Sequence, residues 1–326
     1  MNHKCIAVAS MDRDYAGPAR VFIYSFKQHH PDIPINIYVL DDYTPDQDIL
    51  DRYPDVKFIP FKAEKCRKFI NDNISGISKV SFANNVYDAS KIINMFAYLE
   101  AVDELIATKQ YDVIIKSDLD TLWCGSIEND LNAFVESKLP IAMSRERVNI
   151  KHFMLSGDGL HYQYLNTGGY FCAGITLYNA RVLSTYVFHT IVKTMMHYGI
   201  NRFHYLDQDG LSISYSNKFV LNGVYNITSL PIPDAKNVYV LHYNAPIKPF
   251  AIANRDALGY IPLFRTYELY REIAKTIGCD STFVTKINDS IAEIKKRLVR
   301  VKEIDSGIQL IQLKCAEMLR KFKELV

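Results

Sequence analysis

A chain of 326 residues that is 48% hydrophobic and 23% charged has a globular composition, which excludes wholesale disorder, collagen and a disulfide scaffold. Its 38 basic and 36 acidic residues give a formal charge of +2, so the whole chain carries no nucleic-acid signal. The six cysteines form no CxxC pair, the start MNHKCIAVAS lacks a signal peptide's apolar core, and no run reaches 18–20 apolar residues. Reduced, mostly buried thiols in a cytoplasmic chain, at most touching the inner face of the membrane, are therefore expected.

CIAVAS (5–10) reads as a buried parallel strand, followed by the polar loop MDRDYAGP and a helix over 18–30 with Pro18 near its start. INIYVL (35–40) predicts a second strand ending in Asp41 and Asp42, and VKFIPF (56–61) a third. Residues 88–107 carry a strong helical pattern, and YDVIIKSDLD (111–120) is a Val/Ile strand that ends in carboxylates. Short strands and glycine-rich turns alternate over 141–180, 183–197 looks helical, LDQDGLSISYS (206–216) contains a strand-like segment, and VYVLHYNAPIKPF (238–250) predicts another strand. From about 264 the pattern is mostly helical. Alternating strands and helices predict a sheet covered on both faces, with ligands bound beyond the carboxyl ends of its strands.

Acidic clusters stand at three of those ends: Asp12/Asp14, Asp41/Asp42 and Asp118/Asp120. Two carboxylates at i and i+2 after a buried strand suit a shared hard cation, Mg²⁺ or Mn²⁺, which can also hold phosphates. The same tripeptide also serves as a loop or helix cap. His242, ending VYVLH, is either a packed core residue or a third ligand, and Lys248 has the charge to neutralise a phosphate. Asp207, Gln208 and Asp209 are hydroxyl acceptors suited to a sugar, or an N-cap. There is no GxGxxG, no GxxxxGK[ST] and no GxSxG, so a dinucleotide fold, a P-loop and a serine-hydrolase elbow have no support. Cys172 in GGYFCAG has nothing beside it that marks a nucleophile.

Taken together, IAVASMDRDYAGPARVFIYSF, SDLDTLW, YFCAGITLYN, LDQDGLS and VLHYNAPIKPF resemble, in order over roughly 4–250, the retaining glycosyltransferases of family 8, which include bacterial lipooligosaccharide galactosyltransferases and glycogenin. The resemblance implies a GT-A type α/β fold: a mixed, largely parallel central sheet flanked by helices. It assigns Asp12, Asp14 and Tyr15 to the uridine and its ribose, and Lys91 to donor phosphate or sugar. It assigns Asp118, Asp120 and His242 to Mn²⁺ (or Mg²⁺), with Asp118 and Gly174 beside the donor. Asp207 would hold sugar hydroxyls, Gln208 would sit near the anomeric carbon, and Lys248 would bind the diphosphate. Four positions depart from the family pattern: Asp14 stands where Asn is common, Cys172 replaces Asn, Ala245 replaces Gly, and Phe250 replaces Trp.

The implied activity is transfer of a hexose from a UDP-sugar, with retention, by front-face attack or by double displacement with Asp207 or Gln208 as the nearby group, to a glycan or lipid-linked acceptor of a bacterial surface polysaccharide. Alternatives are a nucleotide-sugar hydrolase, a transferase acting on protein, and a non-catalytic glycan-binding or structural subunit. Catalytic residues 1–262 and a helical region 263–326 are the expected division. Residues 283–326 hold ten basic and six acidic residues, a net +4, against 28 and 30, a net −2, in the other 282. Apolar positions recur there at spacings of three and four, broken near Asp305-Ser306-Gly307. That pattern fits homo-oligomerisation or packing on the body, or peripheral contact with anionic lipid.

Overall fold

The computed structural model describes residues 3–74, 80–82, 85–87, 89–145, 171–183, 186–200, 203, 206–226, 238–243, 247–252 and 264–298. The described chain divides into two compact units, and it passes between them several times: 1–14, 32–118 and 128–221 form the first, 15–31, 119–127 and 222–326 the second.

The first unit is built on a seven-stranded sheet in the order β10-β8-β9-β6-β1-β2-β3. These strands are β1 (Cys5–Met11), β2 (Ile35–Val39), β3 (Val56–Pro60), β6 (Val113–Ser117), β8 (Ile141–Arg145), β9 (Phe171–Asn179) and β10 (Phe219–Val220). β1 pairs in parallel with β2 and β6, β2 does so with β3, and β9 runs antiparallel to both β6 and β8. The sheet is mixed and largely parallel, as expected. A small hairpin, β4 (Val80–Phe82) with β5 (Asn85–Tyr87), is antiparallel.

The helices of this unit are α2 (Gln47–Arg52), α3 (Glu64–Ile74), α4 (Ala89–Thr108), α5 (Glu128–Ser137), α6 (Val187–Tyr198) and α7 (Leu206–Ser214). α4 buries Ile92, Phe96, Leu99 and Val102 at helical spacing, and these join Ile114 of β6, Phe171 of β9 and Phe188 of α6 in one core. Two acids of α4 cap its neighbours: Glu100 accepts from the backbone N–H of Lys65 and Cys66, and Asp103 from those of Val187 and Phe188. The strand-like reading of 206–216 is corrected: this segment is α7. Its Ser-Ile-Ser alternation imitates a strand, but Asp207 and Asp209 in the first turn suit a helix N-terminus. Gly210 lets the backbone meet Ile191 of α6.

The second unit holds α1 (Ala16–His29), β7 (Thr121–Trp123), β11 (Val224–Asn226), β12 (Val240–His242), the β13 (Ile247–Lys248) and β14 (Ala251–Ile252) hairpin, α8 (Phe264–Thr276) and α9 (Ser281–Leu298). β12 is flanked by β11 in parallel and β7 antiparallel. Phe26 of α1 meets Trp123 edge-on at 4.9 Å, and Trp123 stacks on Tyr239 at 6.3 Å. α8 ends at Gly278, whose φ of +72° is the left-handed cap that glycine adopts without strain. The 262/263 boundary and the break near 305–307 lie outside the described residues. Five cysteines, 5, 66, 124, 172 and 279, are free and buried. Among the described residues no helix is long and apolar enough to cross a membrane.

Candidate functional site

In the first unit the parallel strands β1, β2 and β6 bring Asp12/Asp14, Asp41/Asp42 and Asp118 to one edge of the sheet. Asp41 and Asp42 are engaged by Arg13: its backbone N–H donates to Asp41 Oδ2 at 2.9 Å, and its guanidinium reaches both carboxylates. Asp12 accepts from Asn94 of α4 and from the backbone N–H of Asp14 at 3.1 Å. Asp14 is exposed, and the side chain of Lys91, though on α4, lies outside the described residues.

Asp118 follows β6, and its backbone N–H donates to the carbonyl of Gly174 in β9 at 2.7 Å. Its carboxylate is gripped by Lys116, whose Nζ lies 2.5 Å from Oδ1 and also donates to the Ala173 carbonyl at 2.7 Å. Lys116 is 3% exposed and lies 4.4 Å from the centre of the Tyr98 ring. The Tyr98 hydroxyl donates to Asp207 Oδ2 at 2.9 Å. The Ala173 N–H donates to Gln208 Oε1 at 3.1 Å. Lys116 and Tyr98 therefore connect Asp118, the Ala173–Gly174 strand and the Asp207–Gln208 helix turn. Burial pushes the Asp207 carboxyl up to about 6, with Lys116 pulling down and Asp118 adding to the rise. Sequence reasoning passed over both connecting residues. The signal was a lysine inside the otherwise apolar strand VIIKS, since a charge placed there must have a buried partner. Cys172 is buried, and the Gly174 N–H faces its sulfur at 3.5 Å. The backbone supplies that contact, so it gives no sign of thiol chemistry.

In the second unit Asp120 precedes β7, and the pairing of Thr121 with His242 sets it beside the end of β12. The Tyr243 N–H donates to the Asp120 carbonyl at 2.9 Å. Asp120 is 4% and His242 3% exposed. His242 Nε2 stands 3.5 Å from Asp120 Oδ1, and Nδ1 lies 2.7 Å from Asn226 Oδ1 on β11. Because an amide oxygen only accepts, Nδ1 is the nitrogen that donates to it, which turns Nε2 toward Asp120. Lys248 Nζ contacts Asp120 Oδ2 and donates to the Tyr15 hydroxyl at 3.0 Å. Although burial opposes ionisation, Lys248 and then His242 hold the Asp120 carboxyl well below its usual range. Burial likewise works against the Lys248 charge, but Asp120 and Tyr15 hold its pKa above normal. Ala245 lies outside the described residues.

A carboxylate oxygen and an imidazole nitrogen 3.5 Å apart form a donor set that suits a hard divalent ion that accepts one imidazole. Asp118 is tied to the pair by the chain, since two residues span at most about 7 Å. Among the described residues, Asp118, Asp120 and His242 have the chemistry of metal ligands.

The family model described as glycosyl transferase family 8 matches residues 5–251. No curated protein matches the sequence significantly. Among solved structures, the galactosyltransferase LgtC in complex with donor and acceptor sugar analogues is 18% identical, with a TM-score of 0.56 over 86% of this chain and 99% of that one. A second LgtC structure, of an active-site mutant, scores 0.58 at 18% identity over the same shares. The bifunctional glycosyltransferase WbbM scores 0.56 at 17% identity, covering 89% of this chain and 52% of that one. At these identities the likeness establishes the GT-A type fold.

Proposed function

The chain belongs to glycosyl transferase family 8, and on that premise we propose that it is a retaining hexosyltransferase that takes its sugar from a UDP-sugar. The acceptor in this reading is a glycan or lipid-linked sugar of a surface polysaccharide. The observation that carries it is the buried Asp120 carboxylate, faced on one oxygen by the His242 imidazole and on the other by the Lys248 ammonium. A metal-binding carboxylate next to a buried cation is what departure of a diphosphate requires.

Asp118, Asp120 and His242 would hold Mn²⁺ or Mg²⁺, which when bound offsets charge on the leaving diphosphate. Lys248 adds positive charge from the protein side, and its Tyr15 contact keeps the ammonium near the aromatic ring assigned to the nucleotide. Asp12 and Asp14 take the ribose and base edge. Tyr98 donates to Asp207 Oδ2 and so orients the carboxylate assigned to the sugar hydroxyls. The Gln208 side chain is oriented by the Ala173 N–H, so its amide can line the anomeric carbon without serving as a nucleophile. Gly174 offers close backbone approach to the sugar, and Lys91 is assigned to the donor phosphate. Front-face attack is the mechanism favoured in this reading, because Gln208 is a poor nucleophile for a covalent intermediate.

UDP release with Mn²⁺ across a panel of UDP-sugars, with and without acceptor sugars, tests the reading. Turnover that needs metal and disappears in Asp120→Ala supports it. No turnover together with no heat of UDP binding in Mn²⁺ would end it. Residues 1–262 are proposed as the catalytic part and 263–326 as a helical region that also serves self-association or contact with anionic lipid.

A further inference from the structure

Helix α9 lies beyond the matched family region, which ends at residue 251, yet its first turn reaches residues assigned to the donor. Phe283 is 7% exposed, and its ring centre lies 5.7 Å from that of Phe250 and 6.4 Å from that of Tyr270. Phe250 meets Tyr15 edge-on at 5.9 Å and Tyr270 at 6.3 Å. Phe250 stands two residues after Lys248, at the turn of the β13–β14 hairpin. On its other side the Phe283 ring lies against Gly17, where an added Cβ would fall 2.6 Å from it. The start of α9 is pinned by Asp280, whose Oδ1 accepts the Phe283 N–H at 2.9 Å.

We propose that Phe283 is a positioning residue for UDP binding: wedged against Gly17, it holds Phe250, and through Phe250 both Tyr15 and the hairpin that carries Lys248. The inference rests on the reading of Tyr15 and Lys248 as donor-site residues. The physical need is plain. A lysine ends in a compact charge on a flexible four-carbon stem, and a two-residue strand gives that stem little support of its own. The hairpin therefore takes its position from the aromatic cluster on which its turn packs. Interlocked rings resist displacement because any gap forfeits their dispersion contacts.

Calorimetric titration of UDP in saturating Mn²⁺ tests the proposal, with each variant first shown to be folded by its thermal melting transition. Phe283→Ala is expected to weaken UDP binding by about tenfold or more, since small misplacements of charged contacts are costly. Gly17→Ala, which displaces the ring without removing it, is expected to do the same. Phe283→Leu, which keeps an apolar plug, is expected to stay within about threefold of the unaltered chain. Ile291→Ala, two turns further along α9, serves as a destabilised control that keeps its affinity. Lys248→Ala separates the two ideas. If it weakens UDP binding while Phe283→Ala and Gly17→Ala do not, the positioning role is wrong and the site stands. If Ile291→Ala weakens binding as much as Phe283→Ala, general destabilisation is the cause and the role is wrong. If the unaltered chain does not bind UDP, or Lys248→Ala binds equally well, the site assignment fails and takes the proposal with it.

Discussion

Asn226 decides which nitrogen of His242 faces Asp120. Its amide oxygen accepts from Nδ1 at 2.7 Å and so turns Nε2 toward Asp120. Replacing it with leucine removes the acceptor and lets the ring take either tautomer. Mn²⁺ affinity in Asn226→Leu should fall by about 10- to 100-fold, which an electron paramagnetic resonance titration of free Mn²⁺ measures directly. Unchanged affinity would show that Asn226 only packs. A second residue has a pH signature. His30 is 1% exposed between Phe26 and Trp123, and neither ring nitrogen has a hydrogen-bond partner among the described residues. Burial, then His29 and Lys27, lowers its pKa from 6.5 to about 4. The unfolded chain thus takes up this proton first. The stability is fully present above pH 6.5 and is lost as pH falls toward 4, up to about 3 kcal/mol. Denaturant melts of His30→Phe should show a shallower loss over that window. Asp118, Asp120 and His242 could be picked from the sequence because strand ends and acidic spacing carry local information. Asn226 and Tyr98 could not be, because their meaning comes from partners 16 and 109 residues away, whereas Lys116 left a local signal as a charge inside an apolar strand.

Elements show the same division between local and distant causes. The strands β1 and β6 and the helix α4 are legible because burial on both faces, or along one broad stripe, imposes a run or a period of its own. α3, with its sequence EKCRKFINDNI, is mostly polar, and Cys66, Phe69 and Ile70 are its buried anchors. So short an apolar stripe is hard to separate from a loop. α7 misleads for a different reason: its helix is stabilised by contact with α6, which a single stretch of sequence does not display. That contact gives a test. A Cβ on Gly210 would lie 2.5 Å from Ile191 Cγ2, and a β-branched side chain has few rotamers with which to yield. Gly210→Ala should therefore destabilise the protein by about 1–3 kcal/mol despite its better helix propensity. In Gly210→Ala/Ile191→Ala the loss should be smaller than the sum of the two single changes, as chemical denaturation would show. Additive losses would mean that α6 and α7 part without cost.

At the scale of the molecule, the small net charge averages two unequal parts, and the structure refines where the positive part resides. Residues 283–298 carry four basic and two acidic residues, a net +2, and 299–326 carry six and four, again +2. The first half of that charge sits on α9, whose Phe283, Ile287 and Ile291 are buried in the second unit. A helix whose apolar stripe is already committed to the body cannot lay that stripe on a lipid surface. Two truncations test whether a docking or assembly role falls to 299–326. A chain ending at Leu298 should bind UDP and melt like the full chain, because the α9 contacts remain. A chain ending at Gly278 should lose UDP binding along with Phe283. Co-sedimentation with phosphatidylserine vesicles at low salt should drop more than about tenfold on cutting at Leu298, since each basic residue near an anionic surface contributes about 1 kcal/mol. It should also weaken in the full chain as salt is raised, because charges beyond about 10 Å are screened at about 0.1 M. Vesicle binding that survives the cut would place the basic contact on the body. Absent vesicle binding, with a solution mass that halves on truncation, would assign the last residues to self-association.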